Sequence, residues 1–230
     1  MKNNGKILGV LGGMGPLATA DFLRLLAEKA PANIDQEHSK IYVLSNPQIP
    51  DRTKGILGTG ESPELYLKKG LETLIEWGAD FLAVPCNTSH FFIDNFEDDI
   101  TDRLIHIVKE TISDASKIAP NGAWLNATQG TVVCGLYQKY AKKIDYSLYV
   151  PNEDEQSFVN DVVWEVKANH IDRASVIYEN LIEKLFNKKC CPIICACTEL
   201  PIAYRFSQYA DEKMVSSLDA LVNGCLKRLY

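Results

Sequence analysis

The 230-residue sequence has no apolar run long enough to cross a bilayer, no stripe of basic residues and no low-complexity segment. These absences argue against a membrane span and against nucleic acid as the main partner. Acidic residues outnumber basic ones, 30 against 24, for a net charge of −6, with the two signs interspersed. The four histidines, His38, His90, His106 and His170, are scattered singly. They offer no short-spaced ligand set for zinc and read as surface or local hydrogen-bonding residues. Seven cysteines are an odd number in a chain too long to need a disulfide framework, and several sit inside apolar runs. They read as reduced thiols, which places the protein in the cytoplasm. An apolar stretch ending at Ala18-Thr19-Ala20 imitates a secretory leader, but Gly12, Gly13, Gly15 and Pro16 break it as a helix. Without secretion, the glycosylation-type triplets Asn87-Thr88-Ser89 and Asn126-Ala127-Thr128 are accidental.

What the chain does have is alternation. Short β-type runs at residues 6–11, 40–45 and 81–84 are each followed by a longer amphipathic segment, at 18–30, 63–77 and 93–116. The pattern restarts with strands at 122–126, 146–150 and 193–196, helices at 131–142 and 153–186, and a closing helix at 216–229. This is the βαβ signature of parallel sheets covered by helices. The expected fold is α/β: two similar lobes, each a mostly parallel sheet flanked by helices, pseudo-twofold related with the active site in the cleft between them. Residues 1–105 with 213–230 form the expected first lobe and 106–212 the second. Residues 46–63, rich in Pro, Gly and Thr, read as a long loop overhanging the cleft.

The stretch GVLGGMGPLATA, residues 9–20, has the G-x-G-x-x-A spacing of a dinucleotide turn through Gly13, Gly15 and Ala18. Pro16 removes one of the N–H donors such a turn needs. The next strand ends in Ser45 and Asn46 instead of an acidic residue. The turn therefore reads either as a close backbone approach to a small carboxylate with Met14 over it, or as tight strand–helix packing alone.

Aligning FLAVPCNTSHF (81–91) with PIICACTELPI (192–202) places Cys86 on Cys197, each after a buried-strand pattern and each followed by Asn or Thr. A lone cysteine is usually a small buried hydrophobe. Two in equivalent places of two similar halves point instead to a shared crevice at the carboxyl ends of the strands. There, unpaired N–H groups favour thiolate. Cys195 should face the sheet interior, Cys190 and Cys191 pack before that strand, and Cys134 and Cys225 belong to the core. No histidine is recognisable beside either thiol for nucleophilic catalysis. Opposed thiols suit proton removal from one face of a carbon and return to the other.

The motifs LGGMGPLAT, NPQIPDRT, VPCNTSH, NATQGT and ACTEL together resemble the cofactor-independent aspartate/glutamate racemase family, in order along nearly the whole chain. The resemblance implies an amino-acid racemase acting on aspartate, with glutamate next, without pyridoxal phosphate or metal, often as a homodimer. It implies Cys86 and Cys197 as the proton-transferring pair. It implies that Asn87, Thr88, Thr198 and Glu199 hold the α-carboxylate and ammonium, that Thr128 is a further α-carboxylate contact, and that Met14 sits at the substrate-contacting turn. Arg52 and Lys167 are similar to the pair that grips the distal carboxylate. The alternatives are a related transformation (hydantoin racemisation, decarboxylation or maleate isomerisation) and a noncatalytic dicarboxylate-binding protein.

Overall fold

The computed structural model describes residues 3–209 and 213–230. Four parallel strands, β1 (Leu8–Gly12), β2 (Ile41–Ser45), β3 (Phe81–Ala83) and β4 (Leu104–Ile105), form one sheet in the order β2-β1-β3-β4. Four more, β5 (Ala123–Asn126), β6 (Leu148–Tyr149), β7 (Ile193–Cys195) and β8 (Met214–Ser216), form a second in the order β6-β5-β7-β8. Each half thus repeats one topology, with β5 in the place of β1 and β7 in the place of β3. The central strands β1, β5 and β7 are buried along their whole length, as parallel strands covered on both faces must be, which is why they read as continuous apolar runs.

The longer helices follow their caps. α1 (Pro16–Lys29) starts with proline at its first position, where no N–H is needed, and α3 (Glu64–Glu76) buries Leu67, Leu71 and Leu74. α6 (Ile107–Ile118) is capped by the imidazole of His106. α9 (Glu153–Lys167) opens on a full capping box, in which Asn152 Oδ1 accepts from the Glu155 N–H and the Glu155 carboxylate accepts from the Asn152 N–H. α10 (Ile171–Lys188), the short α11 (Leu200–Tyr204) and α12 (Ser217–Leu229) complete the set. One hydrophobic core runs through both halves, joining Val10, Phe22 and Ile112 to Leu125, Tyr137, Ile194 and Leu221.

Several expected elements are subdivided. The single helix expected at 93–116 is α4 (His90–Ile93), α5 (Asp98–Thr101), β4 and α6 in turn. The helix at 131–142 breaks at Gly135, which adopts φ +66°, into α7 (Gln129–Val133) and α8 (Leu136–Lys142). The 153–186 segment breaks at Asn169, φ 63°, between α9 and α10. The loop expected over 46–63 contains α2 (Arg52–Leu57), capped by Asp51 and ended by left-handed Gly58. Residues 213–230 do not all join the first lobe, because β8 hydrogen-bonds to β7 in the second sheet and α12 packs at the seam on α1 and α6. The expected boundary after residue 212 lies outside the described residues. Among the described residues no helix is long and apolar enough to cross a membrane.

Candidate active site

The carboxyl ends of β1, β3, β5 and β7 deliver four turns to one cleft. β1 leads to Met14, β5 to Thr128, β3 to Cys86-Asn87-Thr88, and β7 to Cys197-Thr198-Glu199. Cys86 and Cys197, each 6% exposed, line the same cavity of about 20 Å³, room for roughly one water. Met14, Arg52, Asn87, Thr88, Thr128, Lys167, Thr198 and Glu199 line it with them. A second cavity of about 210 Å³ shares Met14, Arg52, Lys167 and Glu199 with the first and adds the backbone of Gly13 and Gly15.

Two glycines of the turn are confined by different neighbours. A Cβ on Gly13 would fall 2.5 Å from the Asn46 backbone, so this glycine is required by packing. A Cβ on Gly15 would lie 3.3 Å from Glu199 Oε1, so this one brings backbone beside a polar site group.

A threonine cluster and a single threonine cross the seam between the halves. Thr88, Thr128 and Thr131 place their hydroxyl oxygens 2.9–3.0 Å apart in a triangle. Opposite them, the Thr198 hydroxyl lies 3.3 Å from Pro85 O and 3.2 Å from Glu199 Oε2, either of which accepts its proton. Asn87 has both ends of its amide committed, donating to Ser217 Oγ at 2.9 Å and accepting from Tyr137 OH at 2.6 Å. Its side chain pins the Cys86 turn to the second half.

Arg52 opens α2 and is oriented by backbone: Nη1 donates to Ile49 O at 3.1 Å and Pro50 O at 3.0 Å, and Nη2 lies 3.5 Å from Met14 O. Its Nε is buried without a partner, as is Glu199 Oε1. Unpaired buried polar atoms are costly, and both belong to residues of the cavity wall. α2 itself lies on α7, where Gly130 permits the approach, since a Cβ there would fall 2.9 Å from Thr53 Cα.

A family model described as Asp/Glu/hydantoin racemase matches residues 11–225. The chain belongs to that family. The broad specificity amino-acid racemase RacX of Bacillus subtilis (strain 168) is 28% identical over 201 residues, covering 84% of this chain and 86% of that protein. The aspartate racemase of Picrophilus torridus superposes with a TM-score of 0.86 at 28% identity, covering 98% of this chain and 96% of that one. A glutamate racemase, RacE1 of Bacillus anthracis, shares the fold with a TM-score of 0.68 at 16% identity over 96% of this chain and 80% of its own. The protein is accordingly an isomerase of the racemase type.

In this racemase the two thiols have unlike surroundings. The Cys197 thiol donates to Glu199 Oε2 at 3.0 Å, and burial followed by the Glu199 charge pushes its pKa well up. The expectation of a thiolate-favouring setting is therefore corrected for Cys197, since a carboxylate two residues on dominates the local field. Lys167 ends α9 at the rim. Its surface is open to solvent because it borders a cavity, yet protein atoms surround it closely. Burial pulls its pKa down, but Glu199 together with the two cysteines outweighs this and raises it, so Lys167 stays cationic. Among the described residues no group of three or more His, Cys, Asp or Glu is arranged to hold a metal ion.

Behind Cys86, His90 is fully buried. Its Nδ1–H donates to Cys86 O at 2.9 Å, and Nε2 faces the Ile107 N–H at 3.5 Å. Burial, with His106 alongside, lowers its pKa to about 3, so it is neutral. His90 and His106 do bond locally as expected, but in the interior instead of at the surface. Asp51 and Thr53 also line the reaction cavity, and Thr131 completes the hydroxyl triangle. The sequence signal for the first two was the DRT of IPDRT, of which only the arginine stood out. Cys195 and Cys225 are buried as expected, whereas Cys190 is exposed.

Proposed function

We propose that this racemase inverts the α-carbon of aspartate, and of glutamate second, with Cys86 and Cys197 as the two proton-transferring groups. The observation that carries the reading is that both thiols, each from the equivalent strand end of its own half, border one small cavity. In one direction the Cys86 thiolate takes the α-proton, forming S–H as C–H breaks, and the Cys197 thiol gives its proton to the opposite face. The return reaction exchanges the roles. Cys197, held protonated beside Glu199, is suited to the acid role in the resting protein.

The α-carboxylate would meet the hydroxyls of Thr88 and Thr128 and the Asn87 N–H, and the α-ammonium the unpaired Glu199 Oε1. The distal carboxylate would meet Arg52 Nε and Lys167. Two cations neutralise it while fixing its direction, and a water-poor cavity strengthens each of these interactions as the carbanion forms. The lobe division belongs to this reading: residues up to 105 and α12 on one side, 106 to β8 on the other, with the reaction between them. No residue of the proposed machinery calls for pyridoxal phosphate or a metal.

Proton NMR in deuterium oxide tests it. L- and D-aspartate should both lose α-proton signal with the protein alone. Cys86→Ala and Cys197→Ala should each lower racemisation by about 10³-fold, in the range that positioned acid–base groups contribute. Full two-way activity in either variant would overturn the two-thiol mechanism. Tight aspartate binding without exchange would favour a noncatalytic binding protein. Turnover of hydantoins or maleate in place of amino acids would favour the other family chemistries.

A further inference from the structure

A third cavity, of about 410 Å³, lies on the surface between α6 and α8, away from the strand ends. Its floor is apolar, from Ile112, Ile144 and the ring of Tyr140, and none of its lining residues is acidic. Ile144 is 52% exposed. Three ammonium groups gather on the Tyr140 ring, with Lys143 at 4.9 Å, Lys139 at 5.3 Å and Lys109 at 5.7 Å from its centre. Lys139 is paired with Asp94 at 2.6 Å, while Lys109 and Lys143 form no ion pair among the described residues.

Helix ends explain only part of this charge. Lys139 and Lys142 lie in the last turn of α8 and Lys143 at its C-cap, where cations are favoured. Lys109 is in the first turn of α6, at the positive end of that helix, where a cation is disfavoured. Lys109 thus lies against the helix dipole with the Tyr140 ring beside it and no ion pair among the described residues, which leaves its charge available to an anion on a protein of net charge −6.

The pocket also has a connection to the reaction site. Tyr140 OH donates to Asp94 at 2.8 Å, and His106 Nε2 lies 2.9 Å from the same carboxylate. The His106 ring rests 4.6 Å from that of His90, which holds Cys86 O. A ligand that fixes Tyr140 therefore acts on the backbone that carries one of the thiols.

We propose that this pocket binds a small organic anion with a flat apolar body, an aryl carboxylate or aryl phosphate, and that its occupancy tunes Cys86 through Tyr140, Asp94, His106 and His90. The body stacks on Tyr140 between Ile112 and Ile144, and the anionic end lies between Lys109 and Lys143. The site stands apart from the substrate cavity, so its occupancy does not depend on which amino acid the protein racemises.

Calorimetry with phenyl phosphate tests the site. Saturable binding is expected, weakened at least tenfold in the double variant Lys109→Ala, Lys143→Ala and at least fivefold for inorganic phosphate, which lacks the ring. Equal binding to wild type and double variant would overturn the site, and equal binding of inorganic phosphate would overturn the apolar part. Sedimentation tests the competing occupant: a dimer that Lys143→Glu dissociates would put a second copy on this face and overturn the proposal. For the coupling, the rate of Cys86 alkylation by iodoacetamide, followed by peptide mass, should change at least twofold with saturating phenyl phosphate in wild type. It should not change in Tyr140→Phe, which keeps the ring and loses the bond to Asp94. An unchanged rate in the saturated wild type would overturn the coupling, and this readout requires no racemase turnover.

Discussion

The Glu199 carboxylate faces three groups: it accepts from the thiol of Cys197, lies 3.2 Å from the hydroxyl of Thr198, and contributes to the raised pKa of Lys167 across the cavity rim. A negative neighbour disfavours thiolate, so removing its charge must lower the Cys197 pKa even though burial remains. In Glu199→Gln the pH at which Cys197 alkylation reaches half its maximal rate should therefore fall, as measured by peptide mass across a pH series. His90 makes the opposite kind of statement, about stability. Its pKa is about 3 folded against about 6.5 unfolded, so the unfolded chain binds the extra proton between those values. The stabilisation is complete above pH 6.5 and is lost as pH falls toward 3. It should amount to about 2 kcal/mol between pH 7 and 5. Urea midpoints at those two pH values should separate more in wild type than in His90→Asn, which keeps a donor and cannot titrate.

Among the elements, α2 decides whether Arg52 is in place. It has only six residues, and its seat on α7 depends on Gly130, where an added methyl would meet Thr53. Overpacking of about 1–3 kcal/mol at such a site is relieved most easily by moving the short surface helix. Gly130→Ala should then raise KM for the amino acid about tenfold with a much smaller change in kcat, the pattern of lost uniform binding. The same helix marks the limit of sequence reading. Strands β1, β3, β5 and β7 were legible because burial on both faces writes a continuous apolar run, and the paired cysteine turns were legible because they recur at equivalent strand ends. α2, β4 and β8, of two to six residues, are too short to carry a period. Only their caps, such as Asp51 and Gly58, signal them. The committed amide of Asn87 and the contact of buried His106 with Asp94 were hidden for another reason, since those partners are 12 to 130 residues away in the chain.

For the whole molecule, the decisive fact is that the two halves repeat a strand order yet share one core. Leu8, Val10 and Phe22 belong to the same apolar cluster as Leu125, Ile194 and Leu221, and Asn87 bonds to both Tyr137 and Ser217. Neither half can unfold without exposing the other's apolar surface. Denaturation should therefore be one transition. The tryptophans allow a check: Trp77 reports on the first half and Trp124 and Trp164 on the second, so single-tryptophan variants should share one urea midpoint. Two separated midpoints would mean that the seam contributes little.

The guanidinium of Arg52 is already tied to Ile49 O and Pro50 O before any substrate arrives. In the proposed reading it behaves as a fixed stop. A dicarboxylate one methylene longer cannot draw it backward, and docking freezes none of its rotors. Tolerance for chain length then falls to the flexible four-carbon stem of Lys167, so that a rigid cation sets direction and a mobile one measures reach.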